Sequence, residues 1–154
     1  MIGIIGQGFV GNAVYQKFKN FYDILTYDID KEKCNSTLDN LIFKSETIFV
    51  CLPTPMNKDG SCDTSILNES LSNIDLVADN LETIRTIIIK STIPPGTTDK
   101  FNKQYPALNI VFNPEFLTER NAVKDFENQN RIIIGGPRPV TTEVKTIFSK
   151  VFPK

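Results

Sequence analysis

The chain opens with the apolar run Ile2-Gly3-Ile4-Ile5, which passes directly into Gly6-Gln7-Gly8-Phe9-Val10-Gly11 and then into a helical pattern. A lone G-x-G-x-x-G triplet says little. One that closes a buried strand and opens a helix commits the chain to a strand-turn-helix unit able to cradle a dinucleotide. Gly6 permits the tight turn, Gly8 lets the backbone approach a pyrophosphate, and Gly11 allows the helix to pack closely on the strand. The free N–H groups and the dipole of the helix beginning near Phe9 and Val10 then attract phosphate charge. Ile24-Leu25-Thr26-Tyr27 reads as the second strand, with Asp28 at its end. A carboxylate about 20 residues beyond the turn hydrogen-bonds the ribose hydroxyls and repels a 2′-phosphate, so the expected cofactor is NAD. Asp30 also lies near the strand end, but it has entered the helix-start run Asp30-Lys31-Glu32-Lys33, and Asp28 is preferred. The bland alternative is a glycine-rich turn in an unrelated α/β protein. It leaves the order of strand, three glycines, helix, second strand and acid unexplained.

A length of 154 residues suits one domain with one core. Seventeen basic against eighteen acidic residues leave a net charge of -1, which gives no electrostatic case for binding nucleic acid or an anionic membrane. No apolar stretch approaches a membrane span, and the N-terminus reads as a core strand rather than a signal peptide, so a cytoplasmic location is expected. Cys34, Cys51 and Cys62 have neither the count nor the spacing of a disulfide framework or a zinc site, and no metal is expected. Histidine is absent. Proton transfer must therefore use carboxylates, lysine, tyrosine or water.

Apolar runs alternate with helical patterns almost to the end. Thr47-Ile48-Phe49-Val50-Cys51-Leu52 reads as a third strand buried on both faces. A helix follows, capped by Asp63 or Thr64, with Ile66, Leu67, Leu71, Ile74 and Val77 as its buried stripe. Thr86–Lys90, Asn109–Phe112 and Arg131–Gly135 supply strands four to six, with a short helix from about Thr97 after the fourth. A closing helix, from about Val140 to Val151, presents Val144, Ile147, Phe148 and Val151 on one face. This alternation calls for a Rossmann-type, doubly wound, parallel six-stranded sheet in a single domain, in the order 3-2-1-4-5-6. The lean connection between strands two and three leaves room for only a short helix.

Ligands of open α/β sheets bind beyond the carboxyl ends of the strands. The third strand runs into Pro53-Thr54-Pro55, where Thr54 offers a hydroxyl near the cofactor; the segment also reads as a rigid turn leading into a glycine hairpin. The fourth ends in Lys90-Ser91-Thr92-Ile93-Pro94-Pro95-Gly96, where Thr92 serves either a stiff turn or a nicotinamide. The fifth ends in Asn113-Pro114-Glu115-Phe116-Leu117-Thr118-Glu119. If helical, this segment puts Glu115 and Glu119 on one face, suited to water positioning or acid/base work. Taken alone, the pair equally reads as solvated surface acids.

Together these segments resemble the N-terminal NAD-binding domain of the UDP-glucose/GDP-mannose dehydrogenase family. The resemblance rests on Gly6–Gly11, Cys51-Leu52-Pro53-Thr54-Pro55, Lys90–Gly96, Asn113–Glu119 and Arg131–Gly135, and covers essentially the whole chain. It implies that Asp28 and Lys33 contact the adenosine ribose side of NAD and that Thr54 lies against the cofactor. It further implies that Thr92 and Glu119 flank the nicotinamide and help hold a water. Glu115 would do acid/base work in thioester hydrolysis, with the Glu115–Glu119 backbone gripping the nucleotide sugar.

Family members oxidise the C6 alcohol of a nucleotide sugar to a carboxylate with two NAD. Their nucleophilic cysteine, in a Gly-Gly-x-Cys setting, and their active-site lysine belong to regions beyond this domain. None of Cys34, Cys51 and Cys62 has such surroundings, so all three are read as structural or incidental. Residues 1–154 are accordingly expected to form the NAD portion of a UDP-glucose 6-dehydrogenase-like enzyme. Such a chain is inactive alone and engages a UDP-sugar, UDP-glucose by preference, only when a C-terminal domain or complementary polypeptide completes it. The alternatives are a stand-alone NAD-binding module, such as a truncated-gene remnant without turnover, and a small hydroxy-acid dehydrogenase. The last leaves the Thr-Pro and Pro-Glu-Phe-Leu segments unexplained.

Overall fold

Five short runs form one parallel sheet in the computed structural model, which describes residues 1–153. They are β1 Ile2–Ile5, β2 Ile24–Tyr27, β3 Thr47–Val50, β4 Arg85–Ile89 and β5 Leu108–Phe112. Six helices connect or follow them: α1 Phe9–Phe18, α2 Leu38–Lys44, α3 Ser65–Asn80, α4 Thr97–Gln104, α5 Ala122–Glu127 and α6 Val140–Val151. Parallel strands need such crossovers, and helices then cover both faces.

Strand alternation sorts the side chains into two cores. Ile48, Val50, Ile87, Ile89, Leu108 and Ile110 meet Leu41, Leu67, Leu71, Ile74 and Phe101 of α2, α3 and α4. Phe49, Ile88 and Val111 point the other way, into Val14, Phe18, Phe126, Val144 and Phe148 of α1, α5 and α6. Phe18 anchors this second core edge-on, with ring centroids 5.1 Å from Phe49 and 5.4 Å from Phe148. Edge-to-face contacts of this kind add to what ring burial itself contributes.

The α/β, parallel, doubly covered architecture matches expectation, but the strand count and order do not. The sheet has five strands in the order β2-β1-β3-β4-β5, not six in the order 3-2-1-4-5-6. The third strand pairs directly with β1, Ile4 opposite Phe49, and ends at Val50 rather than Leu52. The place outside β2 that a further strand would occupy is taken by side chains. Asn35 Oδ1 accepts from Thr26 N at 2.7 Å, and its Nδ2 donates to Ile24 O at 3.0 Å. Edge backbone groups satisfied in this way leave no ladder to extend.

The expected sixth strand is an irregular segment that pairs with the sheet backbone once. Phe112 and Gly135 exchange both backbone hydrogen bonds in an isolated antiparallel bridge. Gly136, at φ +152, then turns so close to β5 that a Cβ would lie 2.9 Å from Val111 Cγ1.

In α3 the buried stripe is Leu67, Leu71, Ile74 and Ala78, at helical spacing. Val77 is only half-buried and Ile66 is 42% exposed, so Ile66 lies outside the stripe assigned to it. Thr64 is the N-cap but gives no side-chain bond; Asp63 instead accepts from Ser65 N at 2.9 Å. Among the described residues, no helix is long and apolar enough to cross a membrane.

Candidate functional site: the carboxyl edge of the sheet

The strand order places the crevice between β1 and β3, the switch point where ligands of doubly wound sheets bind. The glycine turn stands in that crevice. Gly6 has φ +92, and a Cβ there would lie 2.3 Å from Cys51 O at the tip of β3. A Cβ on Gly11 would collide with Gly6 O, so α1 can sit this close to the turn only with glycine at position 11. A Cβ on Gly8 would meet nothing within 4 Å. That open space lies over the start of α1, whose first turn has no side-chain cap and no acid. Uncapped N–H groups facing open space at a helix N-terminus suit a pyrophosphate.

Asp28 is half-buried at the end of β2 and ties the turn to that strand. Its Oδ2 accepts from Gln7 N at 2.6 Å and its Oδ1 from Asp30 N at 2.9 Å. Each oxygen keeps acceptor capacity for a ribose hydroxyl. Asp30 instead caps the 3₁₀ turn Lys31–Lys33 through Glu32 N, at 3.1 Å. A groove of about 600 Å³ is lined by Gln7, Gly8, Asn12, Lys33 and Cys34, among others; Asp28 does not itself line it but bonds to Gln7 and Cys34, which do. Lys33 is exposed, its Nζ 3.6 Å from Asp30 Oδ2.

Thr54 and Thr92 come together through the backbone: Thr54 Oγ1 donates to Thr92 O at 2.6 Å. Ser91 Oγ donates to Leu52 O at 2.6 Å, stitching the tips of β3 and β4. The hairpin expected after Thr54 is present, with Met56 bridged to Cys62 and Gly60 at φ +86.

Glu115 and Glu119 do not share a helical face. Regular structure resumes only at the 3₁₀ turn Glu119–Asn121, after Thr118 has bonded Asp125 Oδ2 through both its N–H (2.9 Å) and its hydroxyl (2.6 Å). Glu119 is exposed. Glu115 has a side chain only 9% exposed and is ion-paired to Lys90, whose side chain is 1% exposed, at 2.5 Å. Lys90 Nζ also donates to Asn113 Oδ1 at 2.7 Å and lies 5.3 Å from the centre of the Phe126 ring. Asn113 in turn donates to Ile133 O at 2.7 Å. Burial pushes the Lys90 ammonium below its usual range, while Glu115 pulls it back up. The Cys51 thiol beside this cluster is pushed up to about 12, chiefly by burial. It is therefore not an activated nucleophile.

Sequence reasoning gave no site role to Lys90, Asn113 or Asn35 and read Cys34 as structural or incidental. The signal for Lys90 was present. Strand alternation puts position 90 on the same face as Ile88, the face that packs on α5, and a cation there needs a buried partner. Cys34 and Asn35 carried no comparable signal, because their partners are backbone groups of a strand several residues away.

The sequence profile of the UDP-glucose/GDP-mannose dehydrogenase family, NAD binding domain, matches residues 33–152. Over 165 residues the chain is 32% identical to the uncharacterized protein MJ1054 of Methanocaldococcus jannaschii, covering 87% of this chain and 18% of that protein. It is 29% identical to a UDP-glucose 6-dehydrogenase of Rhizobium meliloti, covering 93% of this chain and 42% of the relative. A crystal structure of GDP-mannose dehydrogenase from Pseudomonas aeruginosa superposes with a TM-score of 0.82 at 18% identity, over 98% of this chain and 43% of that one. This likeness shows the shared fold. The chain thus spans less than half the length of these relatives.

Proposed function

Because this chain belongs to the UDP-glucose/GDP-mannose dehydrogenase family and carries its NAD-binding domain, we propose that it serves as the cofactor half of a nucleotide-sugar 6-dehydrogenase. In this reading the complete enzyme oxidises the C6 alcohol of a UDP-sugar, UDP-glucose by preference, to a carboxylate. Alcohol to carboxylate is a four-electron oxidation, so two NAD, when bound in turn, would each take up one hydride. The chain's own residues bind, orient and handle protons.

The observation that carries the reading is the open space over Gly8 at the uncapped start of α1, next to an acid held at the end of β2. Gly6, Gly8, Phe9, Val10 and Gly11 would hold the pyrophosphate, and Asp28 and Lys33 the adenosine ribose. Thr54, bonded to Thr92 O across the tips of β3 and β4, would lie against the cofactor, and Thr92 and the exposed Glu119 would flank the nicotinamide. Thr92 and Glu119 would hold the water. Glu115 would move protons, with Lys90 as the ammonium that keeps its carboxylate in place.

Within this chain no thiol is set up to capture an aldehyde. Cys51 is held protonated, and the Cys34 and Cys62 thiols face backbone carbonyls. That observation favours a second reading, a module that binds NAD without turnover.

Calorimetry with NAD tests the binding claim. The wild-type chain should bind, and Asp28→Ala should bind at least tenfold more weakly, the equivalent of about 1.4 kcal/mol. No heat from either protein at millimolar NAD overturns the cofactor assignment. NADH absorbance after adding UDP-glucose separates the two functional readings. The isolated chain should give none, and NADH should form only when a polypeptide carrying a reactive cysteine completes the site.

A further inference from the structure

β2 is an edge strand of the sheet, and its outer side is covered by the segment that walls the cofactor groove. Asn35 occupies Thr26 N and Ile24 O, and Thr26 Oγ1 donates to Lys33 O at 3.2 Å. One position further along, the Cys34 thiol takes both backbone groups of Asp28. Its Sγ accepts from Asp28 N at 3.1 Å and donates toward Asp28 O at 3.0 Å, with Asp30 O at 3.4 Å. A thiol is a weak donor and a weak acceptor at once, so one side chain can stand in for the neighbouring strand that β2 lacks. The residue clasped in this way is the acid whose carboxylate already orders Gln7 N in the glycine turn.

From this geometry we infer that Cys34 is a positioning residue for the adenosine half of the site, with Asn35 anchoring it. The inference rests on the NAD-binding reading above. Cys34 does not touch the reacting atoms. It holds the Asp28 backbone, and hence the carboxylate, at the position that faces the ribose. Lys33, the residue before it, is held against the same groove.

The test compares Cys34→Val, which puts a slightly bulkier apolar group in place of the thiol and removes donor and acceptor, with Cys34→Ser, which keeps both. Kd for NAD and for ADP-ribose should rise about tenfold in Cys34→Val, the scale of one hydrogen-bonded pair lost. Kd for nicotinamide mononucleotide should stay unchanged. Cys34→Ser should recover most of the loss. Hydrogen exchange, read without cofactor, should show the Asp28 amide less protected in Cys34→Val while the β4 amides are unaltered. A merely structural role would lower the melting temperature and leave the ratio of ADP-ribose to mononucleotide affinity alone. A Cys34→Val protein that binds ADP-ribose as tightly as wild type overturns the inference while leaving NAD binding intact. A wild-type chain that binds neither ligand overturns the reading beneath it, and the inference with it.

Discussion

At the β1–β2 end of the carboxyl edge, Asp28 is half-buried, its oxygens rest on backbone N–H groups, and its bonded neighbours Gln7 and Cys34 line a groove of about 600 Å³. At the β4–β5 end, Lys90 and Glu115 are paired inside the protein, against Phe126 and Asn113. The first region keeps acceptor capacity free and faces open space. The second has spent its charge internally. Cofactor binding and the stability of the isolated chain thus weigh differently along one edge: substitutions at the first end should act chiefly on NAD affinity, and substitutions at the second chiefly on stability. The proton-moving part of Glu115 is read only in a completed enzyme.

The largest expected effect tests the second end. Lys90→Met strands the Glu115 carboxylate in a buried site and should cost about 3–5 kcal/mol in urea unfolding. Adding Glu115→Leu to that variant should restore most of the loss, because a buried pair replaced by apolar groups is often neutral. If Lys90→Met unfolds like wild type, the ion pair is not the structural element its burial implies.

Gly11→Ala comes next. Its new methyl collides with Gly6 O, so the turn must shift, at roughly 1–3 kcal/mol in thermal unfolding and with loss of NAD binding.

Alkaline pH gives a smaller, directional effect. The folded Cys51 keeps its proton to about 12, against 9.0 for a free thiol, so the folded state binds more protons than the unfolded state between those values. This contribution is complete below pH 9.0 and is lost as pH rises toward about 12. Unfolding of wild type against Cys51→Ala across that range should show the difference between them shrinking as pH rises.

The smallest stability change is expected at Gly8→Ala, within about 0.5 kcal/mol, because its Cβ meets nothing. NAD affinity should nonetheless fall sharply in calorimetry. That split between stability and binding would sharpen the contrast between the two ends, and a matching loss of both would break it.

The glycine turn and Asp28 were legible because their constraints are local. A strand followed by Gly6 at φ +92 and a helix within six residues needs that spacing whatever surrounds it. The fate of the two glutamates was not legible. A helix here would have put Glu115 and Glu119 on one face, yet Glu115 lies inward against a lysine 25 positions earlier and Glu119 begins an exposed 3₁₀ turn. Thr118 explains part of this, since its two bonds to Asp125 delay the helix until after Asn121. In Arg131–Gly135, β-branched residues suggested a strand, but only Gly135 pairs with the backbone of the sheet.

The sequence by itself determined the β-turn-α unit, the alternation that builds a parallel sheet, and the family to which the chain belongs. Each follows from short-range spacing or residue type. Tertiary structure alone decided which strand lies beside which, what covers the free side of β2, and which charges face each other across β4 and β5. Those outcomes depend on backbone groups and side chains far apart in the chain competing for the same buried partners, and spacing along the chain does not record that competition.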